Sequence, residues 1–69
     1  MRLGEILREG RMDCMLTIRE ICLEANIKES TYKAIEAGRI AEPSAQKTLR
    51  IMSVLDLDVE DVVGRMSSQ

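Results

Sequence analysis

The apolar residues of this chain recur at helical spacing, and breaks interrupt that spacing at short intervals. No stretch alternates apolar and polar residues as a half-buried strand does. Each segment is too short to hold as a helix by itself, because isolated helices below about 12–15 residues are marginal in water. The segments must therefore bury one another's apolar faces in an all-α fold. The chain has 69 residues, room for one domain and a thin core. At that size only about 60% of the unfolded surface is buried, so self-association would add to stability.

Local signals divide the chain into five helices. Leu3, Ile6 and Leu7 begin a first helix over about 3–13, followed by an apolar turn at Met15-Leu16. Gly10 weakens that helix by about 1 kcal/mol relative to alanine. Thr17-Ile-Arg-Glu20 is a capping box: the Thr17 hydroxyl accepts from the third amide, and Glu20 reaches back to the Thr17 amide. It opens a second helix, about 17–24, with Ile21 and Cys22 facing inward. Ala25-Asn26-Ile27 is a break, and asparagine tolerates the left-handed backbone of a tight turn. A third helix spans about 28–37 with Tyr32 and Ile35 in the core, and Gly38 sits where a left-handed cap belongs. After a loop ending at Pro43, Ser44 caps a fourth helix, about 45–55, with Leu49, Met52 and Leu55 as its stripe. Asp58 caps a fifth, about 59–66, and residues 67–69 form a frayed tail.

Composition removes most chemistry. There is no histidine, so an imidazole base and a histidine-bearing metal site are excluded. Cys14 and Cys22 cannot close a tetrahedral zinc site, and their spacing matches no paired metal knuckle. The start of the sequence carries no secretory signal, so reduced thiols and a cytoplasmic location are expected. No apolar run is long enough to span a membrane. No Gly-rich phosphate loop and no Gly-x-Ser-x-Gly elbow appear. We therefore expect no enzyme, no cofactor, no metal and no small-molecule substrate.

Function is suggested by the second and third helices. Two short helices joined by a three-residue break have the form of a helix-turn-helix, whose second helix lies in the DNA major groove. The opposite face of the third helix from Tyr32 and Ile35 carries Glu29, Ser30, Lys33, Ala34 and Ala37. The free amides around Thr17 and Ile18, at the start of the second helix, form an anion site.

The residues Leu3-Gly4-Glu5, Leu7, Arg11, Leu16-Thr17, Ile21-Cys22, Asn26-Ile27, Ser30-Thr31, Ile35-Glu36, Gly38, Pro43-Ser44, Leu55, Leu57-Asp58 and Val62 together resemble the Cro/C1-type (XRE-like) helix-turn-helix family of phage and bacterial repressors. The resemblance covers about Leu3 to Val63 and implies a five-helix, lambda-repressor-like domain. It implies that Arg11 and Glu36 pair, joining the ends of the first and third helices. It implies base reading by Lys28, Glu29, Ser30, Lys33 and Ala34. Lysine suits guanine acceptors, a carboxylate suits cytosine N4, and a small methyl suits thymine. Phosphate contacts are implied for Thr17, Ile18, Arg19 and Arg39.

Four positions depart from the family pattern. Ile18 stands where glutamine is usual, and Lys28 replaces the Ser or Thr cap of the third helix, at a cost of about 1 kcal/mol. Gly10 replaces an apolar residue, and Ala41-Glu42 replaces loop cations.

The net charge of −2 sits awkwardly with nucleic acid, but it is unevenly spread. Residues 1–55 carry nine basic and eight acidic residues, or +1. Residues 56–69 carry one basic and four acidic, or −3. Family members commonly dimerise through the last helix, and Val59, Val62, Val63 and Met66 are more apolar surface than it needs. We therefore expect a homodimer on a near-palindromic double-stranded operator, occluding a promoter. An antitoxin or restriction-modification controller repressing its own operon is a related reading. A protein-interaction module on the same fold, acting as antirepressor or inhibitor, is the alternative from a different class.

Overall fold

A computed structural model describes residues 1–67. Five α-helices follow in order: α1 Leu3–Asp13, α2 Ile18–Ala25, α3 Glu29–Glu36, α4 Ala45–Leu55 and α5 Val59–Ser67. There is no strand among the described residues. Helix α1 is the hub, packing against α3, α4 and α5, while α2 packs against α3 and α4.

The helix ends show why the sequence breaks where it does. Thr17 Oγ1 accepts from the Glu20 amide at 3.1 Å, and the Thr17 amide donates to Glu20 Oε1 at 2.9 Å. Asn26 ends α2 in the left-handed region at φ 56 and ψ 55. Gly38 does the same after α3 at φ 82, where a side chain would be strained. Ser44 Oγ accepts from the Lys47 amide at 3.2 Å and starts α4. Lys28 takes the extended backbone of an N-cap but offers no side-chain cap bond.

The core is aliphatic apart from Tyr32. Ile6, Leu7, Ile21, Tyr32, Ile35 and Ile51 are fully buried. At about 25 cal/mol per Å² of apolar surface removed from water, such residues dominate the stability of a domain this small. Gly4 lets α1 lie directly on the end of α3: a Cβ there would meet the Ile35 and Glu36 carbonyl oxygens at 2.5 and 2.6 Å. Gly10 is also buried, against Leu55 and Leu57, so the position that weakens α1 is one where the neighbouring leucines fill the space.

Several expectations need correction. Leu49 is half-exposed, and Ile51, Met52 and Leu55 form the buried stripe of α4. Helix α2 begins after Thr17 and extends to Ala25, and α3 is shorter at both ends than the spacing suggested. Ser67, expected in the tail, is the last residue of α5, and Ser68 and Gln69 lie outside the described residues. Met15 adopts a left-handed backbone (φ 58) that its residue type does not announce, and Asp56 caps α4 in the same region (φ 55), which aspartate tolerates.

Candidate nucleic-acid interface

Helix α3 is anchored through one face. Tyr32 and Ile35 are buried, which turns Glu29, Ser30, Lys33 and Ala37 outward, all exposed, with Ala34 half-buried at the edge. Lys28, four residues before Tyr32, lies on the side of the buried pair and is exposed because it is the N-cap, before the first turn. A period of 3.6 residues per turn forces this division once the two core residues are fixed. The outward face of α3 therefore carries one ammonium group (Lys33), one carboxylate (Glu29) and one hydroxyl (Ser30), and Lys28 adds a second ammonium at the helix start rather than on that face.

The end of α3 is tied to α1 by a two-pronged ion pair. Arg11 Nε donates to Glu36 Oε2 at 3.1 Å and Arg11 Nη2 to Oε1 at 3.0 Å. Arg11 Nη1 donates to the Leu16 carbonyl at 2.9 Å. The same guanidinium thus holds both the end of α3 and the turn leading into α2. Both side chains are largely out of water, at 15% and 10% exposure. Burial, the largest single influence, would raise the Glu36 carboxyl, but the hydrogen bonds from Arg11, the nearby Tyr32 hydroxyl and the positive charges of Arg11 and Arg8 together outweigh it and hold the group below its ordinary value. The reciprocal bond raises Arg11 further above its ordinary value. The Tyr32 hydroxyl lies buried beside this pair with no hydrogen bond of good geometry. Burial and the neighbouring Glu36 push its phenol upward, so it stays neutral.

The start of α2 differs from expectation in one respect. The Thr17 amide is already bound by Glu20, so it is not free for an anion. The unclaimed first-turn amides are those of Ile18 and Arg19, as helix geometry requires. The Ile18 side chain packs against the core, leaving its backbone as the polar surface at that position. Glu20 places a carboxylate at the same helix end. Its two bonds to Thr17, first through the backbone amide, lower its pKa. Arg19, exposed beside it, supplies the opposing charge.

Two α-helices meeting through Asn26, Ile27 and Lys28, with the second presenting an exposed polar face, are a helix-turn-helix in three dimensions. The sequence profile of a helix-turn-helix domain family matches residues 2–63. The chain belongs to that family. No curated protein and no solved structure matches it. In this helix-turn-helix domain, α3 occupies the place of the recognition helix and α2 that of the helix crossing the backbone. Arg39 is exposed one residue beyond Gly38, at the far end of α3.

The expected dimer surface divides. Val62 is buried in the core of the single chain, so it is not a free contact residue. Val59, Val63 and Met66 are exposed and, with Leu49 and Met52, line an almost wholly apolar groove of about 250 Å³ between α4 and α5. Leu49 and Met52, expected in the core-facing stripe of α4, also belong to this surface. No helix among the described residues is long and apolar enough to cross a membrane.

Proposed function

We propose that this helix-turn-helix domain is a sequence-specific double-stranded DNA-binding transcriptional regulator of the Cro/C1 type, acting in the cytoplasm as a homodimer that occludes a promoter. The observation that carries the reading is the outward face of α3, where Glu29, Ser30 and Lys33 are exposed, with Lys28 exposed at its N-cap, on the helix that enters the groove in this motif. Lys33 and Ser30 are assigned to base edges, Glu29 to cytosine and Ala34 to a thymine methyl. The Ile18 and Arg19 amides, the Thr17 hydroxyl and the Arg19 and Arg39 side chains are assigned to phosphates on either side.

The test is selection of duplexes from a random-sequence pool, followed by binding across a salt series. The reading requires a recovered consensus and a linear fall of log affinity with log salt, at about 0.9 per phosphate neutralised. Absence of binding at low salt would sink it. For Lys33→Ala we expect a loss of about 1–3 kcal/mol with relaxed preference at one base pair. An unchanged consensus removes Lys33 from the reading face.

A second reading is supported by the Glu20 carboxylate at the start of α2 and by Ile18, whose side chain offers DNA no hydrogen bond. On that reading the same face contacts a basic protein surface, as in an antirepressor. It predicts no duplex binding at any salt concentration.

A further inference from the structure

The close approach of α1 to the end of α3 has an electrostatic result. Arg2 is the residue before α1, and its backbone amide donates to Glu5 Oε1 at 3.2 Å. Because Gly4 lies on the Ile35 and Glu36 carbonyls, the start of α1 is set over the last turn of α3. The Arg2 guanidinium then reaches Gly38: a Cβ built there would lie 3.5 Å from Arg2 Nη1. The next residue is Arg39, so two exposed arginines from separate elements come to the same end of α3. Sequence separation hides this juxtaposition.

The carboxylates beside Arg2 are already engaged. Glu5 accepts the Arg2 backbone amide rather than its guanidinium. Glu36 spends both oxygens on Arg11. Among the described residues, Arg2 and Arg39 have no ion-pair partner. A planar guanidinium with free donors is suited to a phosphate oxygen.

We propose that Arg2 is a DNA-backbone contact, which neutralises a phosphate of its own beside the one assigned to Arg39 at the C-terminal end of α3. This inference rests on the DNA-binding reading above. It adds a contact from outside the helix-turn-helix proper, beside Arg39 at the end of α3. The competing role for Arg2 is purely structural, as a cation facing the negative end of the α3 dipole.

The two roles separate in one experiment. The full chain and its Arg2→Gln and Arg2→Lys variants are titrated, across a salt series, against a duplex recovered by the unaltered chain from a random pool. Thermal midpoints are measured alongside. We expect Arg2→Gln to lower the salt slope by about 0.9 for each bound copy, about 1.8 for the proposed dimer, and to weaken binding about 3–10-fold per copy near 0.1 M salt. Arg2→Lys should restore the slope, and the thermal midpoints should coincide. An unchanged slope for Arg2→Gln overturns the proposal, and a lowered midpoint with that unchanged slope assigns Arg2 to the helix end alone. If the unaltered chain binds no duplex at low salt, the DNA-binding reading itself fails, which is a distinct outcome.

Discussion

Gly4 and Gly64 are the same residue under opposite constraints. A Cβ at Gly4 would collide with two backbone carbonyls, which cannot move without shifting α3. We expect Gly4→Ala to destabilise the domain by about 1–3 kcal/mol and to loosen the platform that carries α3. Gly64 lies in α5 with nothing within 4 Å of its added Cβ. Gly64→Ala should therefore stabilise by about 0.5–1 kcal/mol, the helix-propensity difference. Chemical denaturation of both variants checks the pair, and equal effects of one sign would contradict the packing described. The Arg11–Glu36 pair gives a pH prediction. The folded Glu36 carboxyl titrates below its ordinary value of 4.5, so its contribution is complete at neutral pH. It is lost as pH falls below that value through the folded pKa. The thermal midpoint should drop more between pH 7 and pH 3 in the unaltered chain than in Glu36→Gln. Parallel curves would show that the pair adds no pH-dependent stability.

At the level of helices, the legible features were those written by short-range contacts. The Thr17–Glu20 box, Asn26, Gly38 and Ser44 each act within about four residues of themselves, so spacing alone reveals them. Helix α4 shows where that stops. Leu49, Ile51, Met52, Val54 and Leu55 spread apolar surface over most of its circumference, and only the positions of α1 and α2 decide that Ile51 is buried and Leu49 exposed. The left-handed backbone of Met15 is likewise imposed by the joining of neighbouring helices, since methionine does not favour that region. The reading face of α3 followed once Tyr32 and Ile35 were placed inside. Arg2 did not, because its position depends on α1 crossing α3 at Gly4. The uncapped start of α3 offers a trade between stability and binding. Lys28→Ser supplies the missing acceptor and should stabilise by up to about 1 kcal/mol. It removes one cation per copy from the proposed interface and should lower the salt slope of DNA binding by about 0.9 per copy, about 1.8 for the proposed dimer. Thermal denaturation and salt-dependent binding test the two halves separately, and a stabilised variant with an unchanged slope would place Lys28 away from the phosphates.

For the whole molecule, charge and apolar surface point the same way. With a net charge of −2, a single copy has little long-range attraction for DNA and few placed cations with which to hold it. Two copies joined would double those contacts without changing the charge of either. The groove between α4 and α5 leaves Leu49, Val59, Val63 and Met66 exposed together, a patch that a small isolated domain has reason to cover. Val62 and Val63 are adjacent in sequence and both line this groove, but Val62 is buried at its floor and Val63 is exposed, which makes them a matched test. Val62→Asp places a charge in the core and should abolish cooperative unfolding. Val63→Asp places it in the groove, where water still solvates it in a single copy, and should leave unfolding cooperative. In sedimentation at micromolar concentration we expect the unaltered chain to be a dimer and Val63→Asp a monomer. On a selected duplex the Val63→Asp salt slope should fall to about half, because half the phosphate contacts are lost. A dimer that survives Val63→Asp moves the interface elsewhere. An unaltered chain that is monomeric both alone and on the duplex removes the homodimer, and with it the near-palindromic operator.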